Sequence, residues 1–290
     1  MKKTFYFIAL LIIVLNCSFY TTNRRLPEAN ATGITVNLQS RVASPGDDKS
    51  FTIVSKKEQW DPKATAIIIC DMWDQHWCKG ATKRVGELAP HINDVIVAAR
   101  KKGVLIVHAP SDCMSYYKDA TGRKLMQQYA GTTPGYVTGD VKLASEKDVA
   151  WPIDQSNEGC DDSPRCEQRN AWTREISTIV IDPKDAISDD GEEIGKLFTD
   201  RKIKNVILVG VHTNMCIIHR SFGLRNMTRL GMNVALMRDL TDAMYDHTQW
   251  PYVSHFEGVD RMIAYIEKYI CPTITSSDIT GKSNFSFTKK

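Results

Sequence analysis

The stretch "NVILVGVHTNMCIIHR", Asn205 to Arg220, opens as an uninterrupted apolar run and breaks at His212 into a polar turn ahead of a single Cys216. Seven residues with no polar alternation fit a strand buried on both faces, and such strands belong to parallel sheets. A helix-compatible segment follows, so Cys216 falls where a strand ends and a helix begins. Two readings of that cysteine stay open here: a small buried apolar residue, or a nucleophile.

The same alternation extends in both directions. Upstream lie "ATAIIIC", the amphipathic "PHINDVIVAARKKG" and "VLIVHA"; then come "ISTIVI" and the helix-like "DDGEEIGKLFTDRK". Downstream of Cys216 the pattern predicts a helix over about 214–230, the strand "MNVALMRD", a helix over about 255–269, and "ICPTIT". Gly103 and Gly231 stand where helices should stop. Apolar strands interleaved with amphipathic helices predict an α/β protein, a Rossmann-like three-layer α/β/α fold with a mainly parallel central sheet of about six strands. Ahead of it, "GITVNLQS" and "SFTIVSKK" flank "RVASPGDDK", whose Pro45, Gly46 and Asp47 favour a turn, so an N-terminal β-hairpin is expected. The expected organisation is a signal segment at 1–17, an extension with the hairpin at 18–60, a hydrolase-sized domain at 61–276 and a loose polar tail at 277–290. Within the domain, 111–174 is a long interruption of the kind that forms a lid or substrate-binding insertion.

Composition narrows the partners. A formal net charge of +3, spread along 290 residues, gives no patch for a polyanion, and no nucleic-acid-binding module is visible. Lys2 and Lys3 precede the uncharged "TFYFIALLIIVLNC", which reads as a signal-peptide core too short for a comfortable membrane span. Its end, Val14 to Cys17, is similar to a loose bacterial lipobox with Asn16 as a poor match, so Cys17 is a candidate lipid anchor and ordinary cleavage is the alternative. Either way the protein is expected to be exported, to a bacterial periplasm or anchored to the envelope, with no later membrane span. Seven cysteines remain beyond Cys17 and none is in C-x-x-C spacing, which disfavours thioredoxin-type chemistry and zinc ribbons. Cys160 and Cys166 flank "DDSPR" in the insertion, and a disulfide closing that small loop is expected.

Ligands of an open parallel sheet bind beyond the carboxyl ends of its strands. "CDMWDQHWC" offers Asp71, Trp73, Asp74, His76 and Trp77 after the first strand; "DPKDAIS" offers Lys184 after the third; "GVHTNMC" offers Cys216 after the fourth. A carboxylate, an ammonium and a thiol are a working set. A helix N-terminus and a lysine can lower a thiol's pKa, and a carboxylate can take the thiol proton and return it to a leaving group.

On Asp71, Lys184 in "DPKDAI" and "VGVHTNMCI", over about residues 64–275, the chain resembles the isochorismatase-like cysteine hydrolases, the superfamily of nicotinamidases and N-carbamoylsarcosine amidohydrolases. The resemblance implies a catalytic triad of Asp71, Lys184 and Cys216, a cis peptide between Val211 and His212, and an oxyanion hole from the backbone N–H groups of His212 and Cys216. It also bears on chemistry: the vinyl-ether-cleaving members typically lack the cysteine, so Cys216 favours a small amide or related C–N bond cut through a thioester. Hydrolysis of another bond, a vinyl ether or ester, and a catalytically silent binding protein are the alternatives. Nicotinamidases bind a metal through Asp-x-His after the second strand. Here that loop reads "HAPSDCMSYY", so no metal and no cofactor are expected, although His76 and His108 could ligate. Trp73, His76 and Trp77 are expected to line the pocket of a small-molecule substrate, with packing under the loop as the alternative. His219 is a weak candidate for a cysteine partner, and His255 with Glu257 could close over the site or cap the last helix. A homo-oligomer is compatible with the sequence.

Overall fold

Each inner strand divides its side chains between two cores. In β3 (Thr65–Cys70), Ala66, Ile68 and Cys70 face one core while Ile67 and Ile69 face the other, all fully buried. β4 (Leu105–Ala109) and β6 (Asn205–Val211) flank β3 in parallel and alternate the same way. One core is closed by α1 (Lys79–Lys102), the opposite one by α3 (Gly191–Asp200), α5 (Leu224–Arg229) and α6 (His255–Tyr269). This is the expected three-layer α/β/α arrangement. Full burial of a side chain such as Ile68 contributes about 1.5–3 kcal/mol, so truncating it to alanine should cost about 2–5 kcal/mol once the cavity is included.

The computed structural model describes residues 33–131 and 140–288; the expected signal segment and Cys17 lie outside them. Among the described residues the sheet has eight strands rather than six, in the order β2-β1-β8-β7-β6-β3-β4-β5. The hairpin, β1 (Ile34–Ser44) and β2 (Asp47–Trp60), is not a separate extension. β1 pairs antiparallel with β8 (Thr273–Ile274) and extends the sheet, because Ile34, Val36 and Leu38 are apolar at every second position and need a core to face. No helix among the described residues is long and apolar enough to cross a membrane.

Four further expectations are corrected. "ISTIVI" forms a turn, with Ile179 N–H bonded to Ile176 O at 3.0 Å, and the strand beside β4 is the two-residue β5 (Ala186–Ile187). The reason is His108: its buried ring binds Glu175 Oε2 at 2.7 Å and Asp185 Oδ2 at 3.0 Å, which brings both ends of 175–185 to one point and leaves the middle to loop out. The helix foreseen over 214–230 is broken into α4 (Cys216–His219) and α5, with Arg220 extended at φ −58°, ψ 156°. The tail is packed: α7 (Ser277–Thr280) lies against α1 and β1, the Phe285 ring packs tilted against His91 with centroids 4.5 Å apart, and Phe285 N–H bonds Asp239 Oδ2 at 3.3 Å. Cys160 and Cys166 are free thiols, not a disulfide.

The described part of the 111–174 insertion has little regular structure beyond α2 (Thr121–Met126). Buried ion pairs fasten it instead. Arg84 on α1 joins Asp161 at 2.8 Å and Asp242, the last residue of β7 (Asn233–Asp242), at 2.7 Å, while Arg225 on α5 joins Glu146 at 2.7 Å and Asp140 at 2.6 Å.

His108 makes the stability of the fold depend on pH. Burial pulls its pKa down, but Glu175 and Asp185 outweigh burial and raise it from 6.5 to about 9. A group whose pKa is raised by folding stabilises the fold fully below its unfolded value and loses that contribution as pH rises through the folded one. The denaturation midpoint should therefore fall between pH 6.5 and about 9. In His108→Asn, expected to be about 3 kcal/mol less stable because buried Glu175 loses its charged partner while Asp185 keeps Arg100, that slope should flatten; urea melts across the pH range measure both.

Candidate active site

β3 ends in an abrupt turn. Asp71 follows Cys70 with φ 47°, a left-handed conformation that strains a residue with a side chain, and its N–H still donates to Ala109 O at 3.2 Å across the sheet. The turn directs a fully buried carboxylate over the strand ends. Oδ1 accepts the Ser111 N–H at 2.7 Å, Oδ2 accepts Arg220 Nε at 3.0 Å, and the Cys216 thiol is near enough to the same carboxyl group to shift its pKa. Close approach of the neighbouring strand depends on Gly210, at φ 105°, where a Cβ would lie 2.2 Å from Cys70 O.

Cys216 and Asp71 are thus brought together, and Lys184 is not. Ala186 pairs with Val107, so Lys184 is level with the start of β4, whereas Asp71 lies beyond the pair Cys70–Ala109. Five residues of strand separate those levels by about 16 Å, more than a lysine can reach. Lys184 is exposed at the amino edge of the sheet, beside Lys63 and Leu105. The cation at Asp71 is Arg220 instead. It follows Cys216 by four residues, one helical turn, and side chains on a helix lean toward its N-terminus; the chain break at Arg220 completes the return. That spacing was visible in the sequence. Its outer nitrogen Nη2 reaches Asp112 Oδ2 at 3.4 Å.

The electrostatics differ from the lowered thiol pKa foreseen from sequence. Burial pushes the Cys216 thiol well up, and the adjoining Asp71 carboxylate pushes it further, against smaller opposing effects of Arg220 and the His212 backbone. Burial also raises Asp71, with Arg220 and the thiol acting the other way. The resting pair is a protonated thiol beside a carboxylate more basic than usual. Proton transfer between them is possible in place; a standing thiolate is not. Cys216 is the first residue of α4, where the backbone N–H has no intrahelical acceptor. The Val211–His212 peptide is cis.

Aromatic rings wall the site. Trp73 is buried, donates Nε1–H to Ser111 O at 3.0 Å, and stacks on Trp172 with centroids 4.3 Å apart; both rings pack in the cluster that includes Cys216. His76 lies 5.8 Å from Trp172 and 5.1 Å from the ring of His212. Burial, then Arg84, lower its pKa to about 4 against Asp242, so its ring is neutral near pH 7. Trp77 packs instead with Cys78, Cys160 and Met244. Trp172, 99 residues downstream of Trp73 in an irregular segment, carried no sequence signal. Neither helix-borne histidine serves Cys216: His219 Nδ1 binds Asp140 Oδ2 at 2.6 Å, and His255 Nε2 binds Asp242 Oδ1 at 2.8 Å. Glu257 forms the capping box of α6 with Ser254. Asp74 holds the insertion, accepting from Thr173 N–H at 2.9 Å, and His108 is enclosed by its two carboxylates, so neither is free to ligate.

Residues 65–252 match the model of the isochorismatase domain, and the chain belongs to the isochorismatase family. No curated protein matches it. Among solved structures it is similar to a cysteine hydrolase from Pseudomonas syringae pv. phaseolicola 1448A, at 14% identity and TM-score 0.48, covering 77% of this chain and 94% of that one. It is also similar to an isochorismatase from Pseudomonas putida KT2440 (12%, TM-score 0.46, 76% and 91% covered) and to N-carbamoylsarcosine amidase from Thermoplasma acidophilum (11%, TM-score 0.41, 73% and 96% covered).

Arg220 holds Asp71 below where burial alone would put it, so Arg220→Gln should raise that carboxyl's pKa further. A base must be ionised to act, and activity is lost as pH falls through its pKa. The acid limb of kcat/KM should therefore move to higher pH in Arg220→Gln and stay near its original position in Arg220→Lys, which a pH–rate profile on any turned-over substrate reads directly.

Proposed function

We propose that this chain is a cysteine hydrolase that cuts a small amide or related C–N bond. The observation carrying the reading is the buried Asp71 carboxylate, its Oδ2 held by Arg220 at 3.0 Å and close enough to the Cys216 thiol for each to shift the other's pKa. Nucleophile, base and fixed cation are in contact without a substrate to assemble them.

In this reaction the Cys216 Sγ attacks the carbonyl carbon as its proton passes to Asp71, and the carbonyl π electrons move to oxygen. The backbone N–H groups of His212 and Cys216 receive that oxyanion. Collapse breaks the C–N bond, the Asp71 proton goes to the departing amine, and a thioester remains on Cys216. Asp71 then deprotonates a water that attacks the thioester, and the acid leaves as the thiol is reprotonated. Arg220 cannot deliver a proton at working pH; its part is to keep Asp71 ionised and to balance charge when the sulfur becomes negative. The proton is lent between two groups whose pKa values are both raised by burial, which favours transfer concerted with attack over a preformed thiolate. Trp73 and Trp172 would contribute flat apolar contact to a small substrate, and neutral His76 a hydrogen-bonding edge. The N-terminal sequence makes the cell envelope the proposed setting.

Ammonia or amine release from a panel of small amides tests the bond class; cleavage of esters or vinyl ethers alone would shift the reading to those bonds. On a substrate that is turned over, Cys216→Ala should lower kcat by on the order of a thousandfold or more. Rapid-quench mass spectrometry should find the acyl group on the Cys216 peptide. An adduct on another residue, or substantial activity in Cys216→Ala, would sink the assignment. In the resting enzyme, iodoacetamide should label Cys216 slowly below neutral pH.

A further inference from the structure

Away from the Asp71–Cys216 pair, three thiols converge on one oxygen. Asp162 Oδ2 lies 3.2 Å from Cys78 Sγ, 3.5 Å from Cys160 Sγ and 3.2 Å from Cys166 Sγ, and it also accepts the Gly80 N–H at 2.9 Å. Four donors on one carboxylate oxygen exceed its lone pairs. The ligand atoms of Cys78, Cys160 and Asp162 lie within 4.8 Å of one another; Cys166 meets the same oxygen from the more exposed side.

We propose that Cys78, Cys160 and Asp162, the cluster whose ligand atoms already lie together, form a structural zinc site that fastens the insertion to the start of α1, with Cys166, which lies outside that cluster but reaches Asp162, closing in as the fourth ligand. Zinc–sulfur bonds of about 2.3 Å and a zinc–oxygen bond of about 2.0 Å at tetrahedral angles place each sulfur about 3.5 Å from the oxygen, and the three observed separations match that spacing. A disulfide between two of these sulfurs would have no use for the third or for the carboxylate. Cys78 is the N-cap residue of α1, so the free backbone N–H groups of that helix's first turn lie beside the cluster. Such N–H donors at a 24-residue helix's N-terminus offset the negative charge of a thiolate cage. The residues come from two places far apart in sequence, so neither C-x-x-C spacing nor any short motif announces them. Through Trp77 and Trp172, which pack on these cysteines, the site would brace the aromatic wall without touching Cys216 chemistry.

Metal analysis of the full chain, purified without reductant or chelator and reconstituted with zinc if needed, should find one zinc per chain. Cobalt(II) substitution should give the near-ultraviolet sulfur-to-cobalt charge transfer and the intense visible bands of a tetrahedral thiolate site. Cys160→Ser and Asp162→Asn should lose or weaken the bound ion, whereas Cys271→Ser and Cys216→Ala should keep it. Should the first two variants fail to fold, the wild-type cobalt spectrum and protection of three thiols from Ellman's reagent until a chelator is added decide the matter. A disulfide joining any two of Cys78, Cys160 and Cys166 in non-reduced peptide mapping, or no metal uptake from excess zinc, would overturn the proposal.

Discussion

A carboxylate sealed from water must either take up a proton or meet a counter-charge inside the protein, and Asp71 is sealed. It meets Arg220. Much of the surrounding architecture follows from that requirement. For the guanidinium to reach Asp71 the chain has to leave the helix directly after His219, which is why α4 is a single turn and α5 starts afresh. Gly223 permits the break, since a Cβ there would lie 2.8–2.9 Å from the carbonyl oxygens of Ile218, Arg220 and Ile217. The same ion pair sets the chemistry. By opposing burial it keeps Asp71 ionised, while burial leaves that carboxylate basic enough to accept a proton from a thiol that burial and charge have made reluctant to lose it. Where a lysine could have served as both charge and proton donor, arginine confines the proton to the acid–thiol pair.

The sequence was legible where apolar periodicity and packing agreed. β3, β4, β6 and β7 announce themselves as apolar runs, and α6 is bounded as the pattern predicts, because each must bury a face that nothing else could cover. Asp71 and Cys216 were legible for the same reason: they terminate runs whose direction is fixed. Lys184 was misplaced by one error of structure rather than of chemistry. "ISTIVI" is more apolar than the true strand, but His108 ties Glu175 to Asp185 and loops it out, so the lysine precedes its strand instead of following it. No local signal marks a two-residue strand. Arg220 was within reach of helical spacing from Cys216, yet the residue taken as a candidate partner was the adjacent His219, whose ring turns to Asp140.

The insertion shows a different principle of order. With little hydrogen-bonded secondary structure in its described part, its shape comes from side chains that cross to the scaffold: Glu146 to Arg225, Asp161 to Arg84, Thr173 to Asp74. Buried pairs of this kind add little net stability but penalise wrong arrangements heavily, since an unpaired buried charge costs several kcal/mol. They suit a segment that must bring Trp172 to one position over the strand ends. Such tertiary anchoring leaves no periodic trace, so the segment was readable only as an interruption.

The strand order carries a consequence for how the chain is made. β1 is among the first elements to leave the ribosome, yet its neighbour β8 is among the last, and Gln39 pairs with Thr273. Until β8 is delivered between them, neither β7 nor the apolar face of β1 has its sheet partner, and two open edges coexist on a nascent chain. Synthesis at about 5–20 residues per second keeps those edges apart for at least about ten seconds. The lysines of β2, Lys56 and Lys57, guard the hairpin's outer rim during that interval, charged side chains being a common deterrent to edge-to-edge pairing. Closing the sheet with its C-terminal strand makes completion of the chain, rather than collapse of its early half, the event that commits this protein to its fold.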